Sequence, residues 1–259
     1  MNRNDSQTRA QEAEYAFPYH YIPGVKGAKF SSIRQWRWGF RYLGGMQLVL
    51  DQLEKISFSS IVDIGCGDGR FLREIAQTYP GKQLLGVDAS ERAIRLAQAL
   101  NPELDYRASD IVQNPLAATF DVATLIEVIE HIPPAALPDF LGAVAKAIQP
   151  GGHLVLTVPH RNKPLIPKHY QHFTGAQLRA LLAPHFEVIH VFPFDVRVRW
   201  RPLLWFIEKL LGGKGRWFLF TNARIQYQFY RLYLRRYLYA GSENDCARIA
   251  VVARRRAPH

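Results

Sequence analysis

The order of elements along the chain predicts an α/β fold, a doubly wound and mostly parallel seven-stranded sheet with a helical insertion between the last two strands. Three observations carry that expectation. Short apolar runs alternate with amphipathic stretches from residue 60 to residue 194. A glycine-rich turn follows the first apolar run. A gap of just over fifty residues then separates the last two runs of strand character.

Taken in order, residues 1–14 are polar and read as a disordered leader, and residues 15–54 as an aromatic and helical cap. Ser60–Ile64 has the pattern of a buried strand, and Arg70–Thr78 that of a helix stopped by Pro80-Gly81. Gln83–Asp88 is the second strand. The helix over Ser90–Leu100 has Ser90 as its N-cap. Tyr106–Ala108 and Asp121–Ile126 are strands three and four, and Ala135–Ile148 is a helix. The turn Pro150-Gly151-Gly152 leads into His153–Val158. Thr174 and Gln177 form a capping box for a helix to Leu182. Glu187–Phe194 and Ala247–Arg254 complete the sheet. Residues 55–195 and 245–259 thus form one domain, interrupted by 196–244.

Composition narrows the class. The 259 residues are 48% hydrophobic and 21% charged, ordinary globular values, but the net charge is +11. Two cysteines, Cys66 and Cys246, are too few for a disulfide framework and fit a reducing compartment. The first ten residues lack the apolar core of a secretory signal. The most apolar run, Pro202–Leu211, is short for a membrane span and contains Glu208 and Lys209. A cytoplasmic protein, bound at most to a membrane surface, is expected.

The loop after the first strand reads Asp63-Ile-Gly65-Cys66-Gly67-Asp68-Gly69. Glycines there let the chain turn sharply and let a ligand pack against main-chain atoms. The spacing is GxGxG, not the dinucleotide GxGxxG, and there is no phosphate-loop lysine. Asp88, followed by Ala89, closes the second strand, where a carboxylate accepts ribose hydroxyls. Asp110 and Ile111, after the third strand, are placed to meet an adenine by its amine and its ring.

These segments carry a family likeness. IVDIGCGDGRFL, LLGVDAS, ASDI, FDVATLIEVIEHI and IQPGGHLVLTVP resemble, in order, the successive motifs of class I S-adenosylmethionine (AdoMet)-dependent methyltransferases, over about Ser59 to Phe194. The resemblance implies the Rossmann-like methyltransferase fold and AdoMet as cofactor. It places Asp63, Gly65, Cys66 and Gly67 around the methionine moiety, Asp88 and Ala89 at the ribose, and Asp110 and Ile111 at the adenine. Glu127 stands next to that site.

Methyl transfer is an in-line displacement on a sulfonium, so the acceptor must be positioned and, where needed, deprotonated. Two clusters offer the groups. Glu127, Glu130 and His131 follow the fourth strand, and Lys168, His169 and His172 follow the fifth. Glu127, His131 and His169 are the candidate catalytic residues. Two carboxylates and two imidazoles, Glu127, Glu130, His131 and His169, also make a donor set for Mg²⁺, Mn²⁺, Fe²⁺ or Zn²⁺. ExxEH with a later histidine resembles the metal quartet of small-RNA 3′-terminal 2′-O-methyltransferases. The match departs where Lys168, His172 and Phe173 replace Asp, Glu and Trp of that family's later motif. A shorter EVxEH resembles ubiquinone-pathway O-methyltransferases and bacterial enzymes acting on glycans or secondary metabolites. His131 then reads as a base, or as a structural residue of the strand–helix junction. His160 and His20 read as solvated.

Residues 196–244 hold ten Lys/Arg against two Glu, a net +8, and twelve of the 32 aromatics. In the class I fold this segment leaves and rejoins the sheet on the cofactor edge, so it should form a lid over the acceptor. Ile225, Phe229, Leu232 and Tyr233 fall on one helical face, with Arg224, Arg231 and Arg235 elsewhere. Trp200, Trp205, Phe206, Leu210 and Leu211 beside Arg197, Arg199 and Arg201 form an interfacial pattern. Tyr15–Tyr21 is a candidate for the far wall of the pocket. The expected function is O-methylation of an anionic small-molecule, glycan or lipid-linked acceptor, with peripheral membrane contact through 196–244. The alternatives are metal-dependent RNA 2′-O-methylation and non-catalytic AdoMet or membrane-surface binding.

Overall fold

The structure, a computed structural model, describes residues 24–26, 29–31, 36–196, 223–240 and 242–257. Tyr15–Tyr21, His20 and the Trp200–Leu211 stretch of the insertion lie outside the described residues. Two three-residue strands, β1 (Gly24–Lys26) and β2 (Lys29–Ser31), pair antiparallel, and helix α1 (Trp36–Leu53) follows. The main alternation then runs β3 (Ser60–Ile64), α2 (Arg70–Thr78), β4 (Gln83–Asp88), α3 (Glu91–Leu100), β5 (Asp105–Ala108), β6 (Phe120–Ile126). It continues with α4 (Leu137–Ala147), β7 (Ile148–Pro159), α5 (Gly175–Leu182), β8 (Phe186–Val196), α6 (Ala223–Arg236) and β9 (Cys246–Arg255).

The seven long strands form one sheet in the order β5-β4-β3-β6-β7-β9-β8. β3 to β7 are mutually parallel, and β9 runs antiparallel between β7 and β8. The central strands carry unbroken apolar runs because helices cover both faces. Ile61, Val62, Val122, Ala123 and Leu154–Leu156 are all fully buried. One face packs on Leu141 and Val144 of α4 and Leu178 and Leu182 of α5. The other packs on Leu48, Val49 and Leu53 of α1, Leu72 and Ile75 of α2, and Ile94 of α3. Each such side chain contributes about 1.5–3 kcal/mol on leaving water. Strand order reverses between β3 and β6, so their carboxyl ends open a crevice, the usual ligand site of such sheets.

Both expected helix starts are built as read. Ser90 Oγ accepts from Ala93 N, and Thr174 and Gln177 exchange the two bonds of a capping box. Some boundaries differ from expectation. β7 begins at Ile148, not after the Pro150-Gly151-Gly152 turn, because Ile148 already pairs with Phe120 before a register shift. Gly151, at φ 80°, carries the strand across that irregularity, and a Cβ on Gly152 would sit 2.6 Å from the Asp121 carbonyl. A separate 3₁₀ turn, Pro134–Ala136, precedes α4. The β1–β2 pair was not expected at all.

The insertion leaves and rejoins the sheet as the topology requires. Val196 pairs with Cys246, and Arg248 of β9 pairs with Pro159 at the carboxyl end of β7. Its helix α6 packs against α1 and β2. The buried face agrees with the one read from periodicity at Tyr233 but not at Phe229 and Leu232. Tyr230 is buried and Tyr227, Tyr233 and Leu234 pack against the core, while Phe229 and Leu232 are 42% and 47% exposed. On the buried side the Tyr230 ring lies 5.7 Å from the ring of Phe40 in α1, and Tyr233 fills the space beside Gly44. Arg224, Arg231 and Arg235 are exposed, as expected.

Candidate functional site

The cofactor half of the crevice is made mostly of backbone. Gly65 N and Cys66 N both donate to the Val87 carbonyl, folding the loop after β3 onto β4. Gly67 N and Ser90 N donate to the two oxygens of Asp88, at 2.9 and 2.8 Å, which fixes that carboxylate at the end of β4. Gly65 sits at φ 76°, and a Cβ there would lie 2.5 Å from the Val128 side chain, so conformation and space both demand glycine. Asp63 is buried and accepts from Thr124 Oγ1 at 2.7 Å. Burial, reinforced by the nearby Asp88, raises its pKa to about 7. One strand further, Asp110 Oδ1 accepts from Val112 N, and Ile111 is buried beside it. Ala89 is exposed on the rim. Cys66 lies in the loop with its thiol buried, and burial pushes its pKa well up, so it lines the turn as an inert group.

The facing half is made of side chains. β6 ends at Ile126, and a 3₁₀ turn, Ile129–His131, follows. Its Glu130 is 0% exposed, and neither carboxylate oxygen has a hydrogen-bond partner among the described residues. Burial, with Glu127 nearby, holds its pKa well above the carboxylate range. His131 Nδ1 lies 3.1 Å from the Lys168 carbonyl and its Nε2 lies 4.0 Å from Glu130 Oε1. His169 stacks edge-on against His131 with ring centroids 4.7 Å apart. One ligand atom each from Glu130, His131 and His169 lie within 4.8 Å of one another. Behind them His169 Nδ1 meets His172 Nε2 at 2.8 Å, and His172 Nδ1 meets the Lys163 carbonyl at 3.1 Å. Burial and the flanking imidazoles push His169 down to about 2, and burial lowers His172 as well, so both rings are neutral.

A buried carboxyl group with no hydrogen-bond partner among the described residues, set beside two imidazoles, offers a donor set for a divalent cation. Carboxylate and imidazole are borderline donors suited to Zn²⁺, Fe²⁺ or Mn²⁺. Of the four expected ligands, Glu130, His131 and His169 come together and Glu127 does not. Glu127 takes φ 56° and turns its carboxylate to Arg248 Nε at 3.1 Å. Burial works against its charge, but the Arg248 guanidinium and then Lys163 keep its pKa below the usual value. Arg248 also donates to the Arg41 carbonyl at 3.0 Å and lies over the Phe194 ring at 4.6 Å. Asp195, at φ 61°, accepts from Arg41 Nε at 2.6 Å and from Tyr233 Oη at 3.2 Å. Two glycines of α1 make the room. A Cβ on Gly45 would lie 2.6 Å from Arg248 Nη1, and one on Gly44 2.5 Å from Tyr233 Cε1.

Comparison with known proteins settles the class. The sequence profile described as "Methyltransferase domain" matches residues 35–195, more than half of the chain. The chain belongs to the methyltransferase-domain family. Its fold is one that AdoMet-dependent methyltransferases of solved structure share. Among solved structures, the fold matches the N-methyltransferase NodS of Bradyrhizobium japonicum WM9 in complex with S-adenosyl-L-homocysteine. That likeness has a TM-score of 0.57 and 17% identity over all of both chains. It also matches phosphoethanolamine N-methyltransferase 2 of Haemonchus contortus in complex with AdoMet, at TM-score 0.63 and 16% identity, covering 99% of this chain and 60% of that one. Among curated proteins, the ubiquinone biosynthesis O-methyltransferase of Ralstonia nicotianae is 36% identical over 110 residues. That match covers 39% of this chain and 44% of the relative, so less than half of the relative's length is spanned.

Several residues of this methyltransferase's crevice escape a reading of its sequence. Arg248, Asp195, Arg41 and Lys163 stand in no local motif, and the bonds that join Arg248 to Glu127, Arg41 to Asp195 and Arg248 to Arg41 span 121, 154 and 207 residues. His160, read as solvated, is buried and meets Glu243 Oε2 at 3.2 Å. That oxygen also accepts from Gly175 N, and Asn162 Nδ2 donates to the Glu243 carbonyl. The group ties the returning end of the insertion to the loop between β7 and α5.

Proposed function

We propose that this methyltransferase transfers the AdoMet methyl group to a hydroxyl oxygen of a small-molecule, glycan or lipid-linked acceptor, assisted by a divalent cation at Glu130, His131 and His169. One observation carries the proposal, the Glu130 carboxylate buried without a hydrogen bond against two imidazoles. Such a group costs about 1–3 kcal/mol of stability when nothing compensates it, which marks it as functional. When bound, a divalent cation lowers the pKa of a hydroxyl that coordinates it and so makes the oxygen nucleophilic near neutral pH.

The chain's own residues supply position. Asp88 holds the cofactor's ribose, Asp110 and Ile111 its adenine, and the Asp63–Gly67 turn its methionine end. The acceptor oxygen is brought in line from the β6 side, by the turn carrying Glu130 and His131 and by the His169 loop. The oxygen's lone pair forms the new C–O bond as the C–S pair leaves to sulfur, giving S-adenosylhomocysteine. The hydroxyl proton is lost to solvent. The names of the curated relatives, ubiquinone biosynthesis O-methyltransferases, support oxygen as the acceptor atom.

Charge supports an anionic or lipid-linked acceptor. Arg41, Lys163 and Arg248 surround the crevice against Glu127 and Asp195. Leu165 and Ile166 are exposed on the loop after β7, beside exposed Arg161. Phe229 and Leu232 are exposed on α6 among exposed Arg224, Arg231, Arg235 and Arg236. These surfaces suit a cytoplasmic enzyme that meets its acceptor at an anionic membrane. No helix of the described residues is long and apolar enough to cross one. RNA 2′-O-methylation is less well supported, since its four-ligand pattern loses Glu127 to Arg248.

Labelled AdoMet offered with lipid, polar-glycan and RNA fractions, with and without chelator, tests the reading. Label should enter the lipid or glycan fraction, and both chelator and His131→Ala should abolish it. Chelator-insensitive transfer, or full turnover by His131→Ala with AdoMet bound normally, overturns it.

A further inference from the structure

The loop between β7 and α5 does more than contribute His169. A carbonyl can only accept, so the Lys163 carbonyl forces the proton of His172 onto Nδ1. Neutral His172 then presents a lone pair on Nε2, and the 2.8 Å contact to His169 Nδ1 requires the proton on that His169 nitrogen. The Lys168 carbonyl imposes the same state on His131, whose Nδ1 lies 3.1 Å away. We propose that His172 is a positioning residue, which holds His169 as its Nδ1–H tautomer and leaves Nε2 as the lone pair offered beside Glu130 and His131.

The arrangement is buried throughout, since His169 and His172 are 6% and 8% exposed. Water therefore does not scramble the protons. Tyr170 N, in the same loop, donates to the Glu130 carbonyl at 2.8 Å, so the segment that sets both tautomers is also pinned to the turn carrying the carboxylate. An imidazole whose far nitrogen donates to a fixed acceptor is both oriented and made more basic at the near one. His172 bonds to His169 on one side and to the Lys163 carbonyl on the other, and so acts through His169.

The role is tested on the protein without substrate. In the wild type, ring ¹⁵N spectra should show His169 protonated at Nδ1, and an Nε2–H ring overturns the proposal outright. His172→Phe should convert His169 to mixed tautomers and weaken binding of Mn²⁺ or Zn²⁺ alone by about 10–100-fold. His172→Gln, whose amide oxygen can replace Nε2 as acceptor, should restore the Nδ1–H signature and most of the affinity. A His172→Phe protein that keeps the wild-type tautomer, or a folded His172→Gln protein that behaves like His172→Phe, also overturns it. The proposal draws on the cation reading, but the two fail separately. If no ion binds while His172→Phe still scrambles the tautomer, the positioning role stands and the cation falls.

Discussion

The two sides of the crevice are built by opposite means. On the β3 side, one continuous loop of seven residues makes the proposed cofactor cradle, and the chain's own backbone amides orient Asp88. On the β6 side, the carboxylates and imidazoles come from the turn after β6 and the loop after β7, and the arginines that meet them from the start of β9 and helix α1. The first side depends on backbone shape and tolerates only glycine at its tightest point. The second depends on which charges are paired and which are left over. Glu127 and Glu130 are three residues apart, yet one is ion-paired at the rim and the other is buried with no hydrogen bond. On the proposed function, supply of the methyl group is thus a property of a loop, and its destination a property of long-range charge pairing.

Three substitutions probe that contrast. Glu130→Leu should have the largest effect, a fall in turnover of about 10²–10⁴-fold with AdoMet affinity unchanged. The metal-free protein should at the same time melt no lower than wild type, since an uncompensated carboxylate gives way to a side chain of similar volume. A clear loss of stability would show that Glu130 is paired for structural reasons, and the contrast would break. Arg248→Met comes next. Removing one partner of a buried pair costs about 3–5 kcal/mol, and Glu127 at the rim places this site near about 3. The expected fall in melting temperature is about 6–12 °C, again with AdoMet binding retained by calorimetry. Weakened cofactor binding would show the two sides to be one unit.

The effect on the cofactor side is read as a pH profile. Asp63 titrates near 3.8 in the unfolded chain and at about 7 in the folded one. The folded state therefore keeps its proton longer, and this contribution to stability declines as pH rises from about 4 to about 7. Denaturant titrations of Asp63→Asn should lack that decline and exceed wild type above pH 7. Parallel profiles would mean that Asp63 is ionised in the fold.

The same contrast explains what could be read from the sequence. Ser60–Ile64, Gln83–Asp88 and the GxGxG loop were legible because period, length and turn chemistry are local quantities. Glu130, His131 and His169 were legible as donors because two lie in one tetrapeptide and the third follows the next strand. Arg248 was not, since nothing near it marks an arginine that will reach Glu127 across 121 positions. The α6 face was misjudged for a related reason. Helical period puts Phe229 and Tyr230 on adjacent faces, and only the packing against α1, where Tyr230 meets the Phe40 ring at 5.7 Å, decides which turns inward. His172 reads as a replaced motif glutamate in sequence, whereas in space it is the link between a carbonyl and His169.

The paired glycines of α1 carry one last consequence. In a helix interior they cost about 2 kcal/mol relative to alanines, and the space they leave is filled by Tyr233 and Arg248. Residues 36–53 and 223–248 are therefore cut to each other like key and lock, although the whole cofactor domain separates them in the chain. Exchange of the insertion between relatives must carry α1 with it. In this enzyme the unit that evolution or an engineer can swap is not a continuous segment but two distant ones, inherited together.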